Sequence, residues 1–155
     1  MQITFGLDMD LAIPAEGQQL SRAQAVQELQ ARTPVYDRYG DLLIFGNRAD
    51  FAAAQAVLSR FRIDSEPCEL LAIPFESVSA SDRFADFAFI SDAGRACFDL
   101  AYAAAFRLIE QRPNAEPAPA LMQLEEHVIA AIAHEGRTWH VIERQLAELA
   151  DRVAR

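Results

Sequence analysis

Lysine is absent from this 155-residue chain, and all 14 of its basic residues are arginine. This absence excludes a lysine Schiff base, a P-loop lysine and a lysine general base. Positive charge is scarce as well, because 23 acidic residues leave a net charge of −9. Nucleic acid and anionic membranes are polyanions, so neither is expected as the main partner.

Signals for export, membrane insertion and cofactor binding are also missing. The N-terminal residues lack the basic and continuous apolar regions of a signal peptide, and no apolar run approaches the roughly 20 residues of a membrane span. All six glycines are isolated, which excludes a Gly-rich phosphate loop. Cys68 and Cys97 have no C-x-x-C spacing and are expected to be reduced thiols. These observations predict a cytoplasmic protein with no bound cofactor.

The residues that are present can build a core, since 52% are hydrophobic and 9% aromatic. Apolar residues alternate from Ile3 to Ile13, which predicts one long strand with a solvent-facing side. Ser21 is a predicted N-cap, and either Asn47 or Asp50 can cap a later helix. The same patterns predict further strands at 42–45, 70–75 and 84–90, and helices at 21–32, 47–61 and 92–111.

These elements follow the order β-α-β-α-β-β-α. The order predicts an α+β fold, in which a four-stranded mixed or antiparallel sheet is covered by helices and followed by a C-terminal helical extension. We expect one domain overall, with a core at 1–112 and a Pro-rich connector at 113–119. The remaining residues, 120–155, are predicted to form a helical segment that packs on the core.

The predicted C-terminal helix carries an apolar seam at alternating spacings of three and four residues. Its members are Trp139, Ile142, Leu146, Leu149 and Val153. Such a seam is typical of a helix that packs on a partner surface. We favour packing on the parent domain, and a homodimer through this helix is the alternative.

No complete catalytic or metal-binding motif is present. Asp8 and Asp10 are typical of a phosphatase-type site, but the alternation continues past them, so a solvent-facing strand is the preferred interpretation. Cys97 lies among apolar neighbours, which favours a packed thiol. The spacing of the histidines does not match a zinc motif such as H-E-x-x-H; they are His127, His134 and His140. We therefore predict neither catalytic nor metal-ligating residues.

Acidic residues are concentrated in two segments, 1–20 and 63–82, which together hold eight acidic residues and no basic one. They form either a solubilising surface or a docking face for a basic partner, because clustered carboxylates steer encounter. With nearby aromatic anchors, the predicted partner-binding residues are Asp8, Asp10, Tyr36, Asp37, Tyr39, Asp41, Glu66, Glu69, Phe75 and Glu76.

Together these features predict a non-enzymatic, acidic protein-binding module. The preferred hypothesis is a bacterial immunity or inhibitor protein that occludes the active site of a basic toxin or effector. One alternative is a secretion chaperone, which would be a stable homodimer with an exposed apolar groove. The other is a small enzyme with a dispersed site, which would show convergent ionisable groups with shifted pKa values in a pocket.

Overall fold

The computed structural model describes residues 1–9, 18–107 and 124–148. Its strands are β1 Gln2–Met9, β2 Asp37–Tyr39, β3 Leu42–Phe45, β4 Ser65–Pro74, β5 Val78–Ala80, β6 Ala88–Ile90, β7 Arg95–Asp99, β8 Ala103–Phe106, β9 Val128–His134 and β10 Arg137–Glu143. Its helices are α1 Gln18–Arg32, α2 Arg48–Arg60 and the single turn α3 Phe84–Phe87, with 3₁₀ turns at Phe75–Ser77 and Arg144–Leu146.

The described residues form two sheets, so the predicted four-stranded sheet covered by helices is wrong. One sheet has six strands in the order β2-β3-β1-β4-β7-β6, and the other has four in the order β5-β9-β10-β8. Most of the additional strands lie where the sequence patterns predict helices. The chain divides into two compact units: the first comprises residues 2–70 and 90–94, and the second comprises residue 1 with 71–89 and 95–155.

The first unit has the element order β-α-β-β-α-β. Its strands lie in the order β2-β3-β1-β4, which is the split β-α-β arrangement of ferredoxin-like folds. β1 pairs antiparallel with β3, with Phe5 opposite Phe45 and Asp8 opposite Leu42. β2 and β3 form a tight hairpin through Gly40, whose φ of 55° suits a residue without a β-carbon.

The two long helices of the first unit pack on one face of this sheet. Leu7 and Met9 of β1 and Phe45 of β3 meet Leu29 of α1 and Leu58 of α2 in a buried apolar cluster. Of the two predicted caps of α2, Asn47 is the one used, because its side chain accepts a hydrogen bond from the Asp50 backbone N–H at 2.9 Å. On the other sheet face, β4 approaches β1 closely where Gly6 has no side chain: a β-carbon there would lie 2.5 Å from Cys68 Sγ.

The second unit contains the four-stranded sheet and its own apolar core. Ile73 of β4 and Phe98 of β7 pack against Ile129 and Ile132 of β9 and Val141 of β10, all of them buried. The antiparallel β9–β10 hairpin is the centre of this sheet, with β5 beside β9 and β8 beside β10. Opposed apolar faces of strands therefore build this core, without a long helix among the described residues.

The prediction of a C-terminal helical extension is wrong, because residues 128–143 form the β9–β10 hairpin. Glu135 and Gly136 connect the two strands with φ values of 51° and 70°, as a two-residue hairpin turn of type I′ requires. Of the predicted apolar seam, Trp139 and Ile142 lie in a strand, where the spacing of three puts them on opposite faces. Leu149 and Val153 lie outside the described residues.

The helix predicted at 92–111 is also wrong in its described part. Alanine favours helices, and this segment is rich in it, but residues 95–99 and 103–106 form β7 and β8. The Asp99 carboxylate accepts a hydrogen bond from the Ala101 N–H at 2.8 Å and so stabilises a turn between the strands. Ala96, Cys97 and Phe98 are fully buried, so both faces of β7 are covered, and burial outweighs local helix preference.

The strand predicted at 84–90 begins instead with the helical turn α3, and only residues 88–90 are extended. Within the described residues, the first strand ends at Met9. The predicted connector at 113–119 lies outside the described residues, and so do the predicted end of the core at 112 and the predicted start of the helical segment at 120. In the part of the chain that the structure describes, no helix is long and apolar enough to cross a membrane.

Candidate partner-binding surface

The hairpin of the first unit places an aromatic and an acidic predicted site residue in one row. Leu42 of β3 lies opposite Asp8 of β1 on one side and opposite Tyr39 of β2 on the other. Directly opposed residues of paired strands point to the same sheet face. Because neighbouring strands are about 4.8 Å apart, Asp8 and Tyr39 lie about 10 Å apart on that face.

The same row continues onto β4. The Thr4 hydroxyl donates to the Leu70 carbonyl at 3.4 Å, and Gly6 faces Cys68 two residues further along β1. Each step of two residues along β1 thus corresponds to a step of two residues back along β4. From this register we infer that the next step brings Asp8 beside Glu66, and the period of two keeps both on one face.

We call Tyr39, Leu42, Asp8 and Glu66 the acidic row. Asp8 and Glu66 are exposed and Tyr39 is 48% exposed, whereas Leu42 is buried between them. Asp41 lies at the same end of the sheet, because the Met9 N–H donates to its carbonyl at 3.3 Å. The row therefore presents carboxylates on the same sheet face as the Tyr39 ring, which lies two strands away from Asp8.

The charged groups in this row are two carboxylates, and no ion pair with either of them is found within residues 1–9, 18–107 and 124–148. In the described part of the first unit, ion pairs join Arg32 and Arg60 to Glu28 and Arg48 to Glu69. None of these arginines forms an ion pair with Asp8 or Glu66. Like charges directly opposite one another destabilise a sheet, so we expect this pair to lower the stability of the free protein. A cation placed between them by a partner would remove that cost.

Asp37, another predicted partner-binding residue, is 6% exposed and serves the fold of the first unit. Its carboxylate accepts hydrogen bonds from the Ser91 hydroxyl at 2.5 Å and from the N–H groups of Ala93 and Arg38 at 3.1 and 2.8 Å. The Asp92 N–H also donates to the Arg38 carbonyl at 2.8 Å, so residues 91–93 cover the edge of β2. We leave Asp37 out of the proposed surface for this reason.

The remaining predicted site residues do not join the acidic row. Tyr36 is 38% exposed and donates to Gln2 at 3.2 Å, and Glu69 pairs with Arg48 at 2.8 Å. Phe75 and Glu76 belong to the second unit. Asp10 lies outside the described residues.

The three histidines lie in the second unit on different elements. His127 precedes β9, His134 ends it, and His140 lies in β10 beside the Phe106 ring, with ring centroids 5.6 Å apart. Burial lowers the pKa of His140, although the nearby Glu125 carboxylate opposes the shift. Within the described ranges, no three His, Cys, Asp or Glu side chains are grouped so that they could hold a metal ion.

Two contributors to the first unit were missed from the sequence. Ser91 immediately precedes the predicted helix at 92–111, and its hydroxyl donates instead to the Asp37 carboxylate 54 positions away. Leu42 was predicted only as part of the strand at 42–45, yet it lies between Asp8 and Tyr39 in the acidic row. The Asp-x-x-Gly-Asp turn signal at Asp37–Asp41 could have indicated that Tyr39 and Leu42 are cross-strand neighbours.

Searches against family models, curated proteins and solved structures found no match to this chain. Function must therefore be argued from the geometry and charge of the surface itself.

Proposed function

We propose that this chain is a non-enzymatic protein-binding module, and specifically an immunity or inhibitor protein that occludes the active site of a basic toxin or effector. The acidic row carries the proposal. Asp8 and Glu66 face the same side of adjacent strands without a basic neighbour among the described residues, and Tyr39 lies in line with them. This arrangement suits an arginine or lysine of a partner better than it suits the free protein.

Binding would proceed through one inserted cation. A partner guanidinium between Asp8 and Glu66 would form charge-assisted hydrogen bonds to both carboxylates. The Tyr39 ring, about 10 Å from Asp8 across two strands, would contact a neighbouring part of the partner. The net charge of −9 would steer a basic partner toward this surface before contact. Occlusion follows if the inserted side chain belongs to the substrate cleft of the partner. We propose that the protein works in the cytoplasm, where thiols such as Cys68 and Cys97 are kept reduced.

The first experiment compares partners retained from a lysate of the source organism by three immobilised proteins. They are the wild type, the double variant Asp8→Arg/Glu66→Arg, and the control Asp86→Arg/Glu126→Arg. The control changes net charge equally at exposed carboxylates of the second unit. A basic protein retained by the wild type and the control, and lost from the first variant, is the expected result.

The second experiment measures association kinetics and inhibition with that protein. Reversing the charge of Asp8 and Glu66 should slow association with the partner about tenfold or more. Added salt should reduce the difference in association rate between this variant and the wild type, because salt screens electrostatic steering beyond about 8 Å at physiological ionic strength. The wild type should also abolish the activity of the partner at one equivalent. Equal association by both variants, or a partner that stays fully active when bound, would contradict the proposal.

A further inference from the structure

A groove in the first unit lies between α2 and the start of β4. Four residues of α2 line one wall at spacings that share a helix face, Phe5 of β1 forms the floor, and β4 forms the other wall. The lining residues are Phe5, Arg48, Phe51, Ala52, Gln55, Pro67, Cys68 and Glu69, around a volume of about 540 Å³. That volume is within the range of roughly 300–1,000 Å³ found for small-molecule sites.

The interior of the groove is apolar and aromatic. The rings of Phe5 and Phe51 meet at a centroid distance of 5.8 Å with a tilt of 50°, and both side chains are only half-buried. Phe51 also contacts Phe45 of the core edge-on, with centroids 6.5 Å apart, so its position is set by the fold. Binding is favourable when an apolar group of a ligand displaces water from half-covered aromatic rings.

One positive and one negative side chain stand at the rim. Arg48 Nη2 donates to Glu69 Oε1 at 2.8 Å, and the guanidinium carbon lies 5.1 Å from the centre of the Phe5 ring. The Arg48 and Glu69 side chains are 78% and 51% exposed. A guanidinium has five N–H donors and a carboxylate has two acceptor oxygens, so their mutual contact leaves capacity for a ligand.

This pairing of charges over an apolar interior selects a dipolar ligand. A ligand with net charge would meet a like charge at Glu69 or Arg48, and a neutral apolar ligand would use neither. We propose that the groove binds a free apolar α-amino acid, with its carboxylate on Arg48, its ammonium on Glu69 and its side chain against Phe5 and Phe51. The site involves no residue of the acidic row, so it stands independently of the proposed partner surface.

A ligand series tests the charge requirement directly. L-Phenylalanine and L-leucine, titrated into the full chain by NMR, should shift the signals of α2 and β4 saturably, with a Kd on the order of 1 mM or tighter. 3-Phenylpropionate lacks the ammonium and 2-phenylethylamine lacks the carboxylate, so each should bind about tenfold more weakly or worse. L-Alanine lacks the apolar body and should cause no saturable shift.

Variants test the location. Arg48→Gln and Glu69→Gln should each weaken L-phenylalanine binding about tenfold. The matched control is Arg60→Gln, because Arg60 also pairs with a glutamate and lies over a phenylalanine ring, at 5.1 Å from Phe61, but does not line the groove. Ala52→Phe should fill the groove and abolish binding, whereas Ala53→Phe, exposed on the same helix, should bind like the wild type.

Three results would overturn the assignment. One is the absence of saturable shifts with L-phenylalanine or L-leucine at tens of millimolar. Another is equal binding of 3-phenylpropionate or 2-phenylethylamine, which would show that the rim charges do not select a zwitterion. The third is unchanged binding in Ala52→Phe, provided that the spectrum of the variant shows a folded protein.

Discussion

At the scale of single residues, Asp37 shows how one carboxylate can organise a sheet edge. Three donors converge on it, from Ser91, Ala93 and Arg38, and two of them come from a segment more than 50 positions away in sequence. A buried charge is tolerated only when hydrogen bonds replace its water, and here they do. The same segment covers β2, which would otherwise be an open edge.

Asp37→Ala should destabilise the protein by about 2–3 kcal/mol, because it leaves buried donors without an acceptor. Ser91→Ala removes only one donor and should cost about 1 kcal/mol. Urea unfolding of both variants checks this, with Asp41→Ala, on a half-exposed turn, as a control expected within about 0.5 kcal/mol of the wild type. A loss for Asp37→Ala no larger than that of the control would contradict the structural role of the carboxylate.

At the scale of elements, the β9–β10 hairpin depends on a turn whose two residues both have positive φ. Glycine accepts this conformation without strain, but glutamate does not, and asparagine tolerates it better than most residues. Glu135 is therefore the poorest fit in the turn.

Glu135→Asn should stabilise the protein by about 0.5–1 kcal/mol, since Asn-Gly is the preferred pair for a type I′ turn. In a helix the same change would be destabilising, because asparagine has a lower helix propensity than glutamate. The sign of the change in unfolding midpoint thus distinguishes a hairpin from a helix at residues 128–143. Gly136→Ala tests the same turn in the opposite direction. It should lower the free energy of unfolding by about 1 kcal/mol, because alanine is strained at a positive φ.

The end of β10 is tied to the helical turn α3 by a charged contact that should make stability depend on pH. Glu143 accepts hydrogen bonds from Arg83 and, at 2.6 Å, from Gln145, and the bond from Arg83 is the main reason that the pKa of Glu143 is lowered. A lowered pKa in the folded state gives stability that is full above the unfolded-state pKa of about 4.3 and is lost as pH falls through the folded value.

Glu143→Gln should therefore be less stable than the wild type at pH 7, and the difference should shrink as the pH falls below about 4. Urea midpoints measured between pH 7 and pH 3 check this. Glu126→Gln, at an exposed position, should show no such convergence. A constant difference between Glu143→Gln and the wild type across this range would contradict the assigned contact.

At the scale of the whole molecule, the net charge of −9 both favours a basic partner and opposes folding. We expect the acidic row to concentrate this conflict, because Asp8 and Glu66 place two carboxylates on adjacent strands. Sites kept for binding commonly reduce stability in this way.

Asp8→Asn/Glu66→Gln should raise the free energy of unfolding by about 0.3–0.5 kcal/mol at low salt, and by less at high salt, where repulsion is screened. The same variant should associate more slowly with the basic partner. Asp86→Asn/Glu126→Gln removes the same net charge outside the row and should slow association clearly less than the change in the row does. Slower association without any gain in stability would show that the two carboxylates do not repel each other across the strands.

Much of the first unit was predictable from local pattern. The β1 alternation, the helix ending at Arg32, the strand 42–45 and the Asn47 cap all follow from residues close together in sequence. Asp8 was correctly predicted to be exposed. The row itself was not predictable, because it depends on the register between β1, β3 and β4, and register is set by pairing between distant segments.

The sequence by itself determined the absence of lysine chemistry, the acidic charge and the positions of the strongest local elements, since these depend on composition and on neighbouring residues. Only the tertiary structure decided that residues 95–99, 103–106, 128–134 and 137–143 are strands. Their alanines and β-branched residues fit either state locally, and the choice comes from burial: in β7 both faces are covered, and in β9 and β10 Ile129, Ile132 and Val141 meet an apolar core. Free energy from packing between distant segments exceeds the helix preference of alanine, which is less than about 1 kcal/mol per residue.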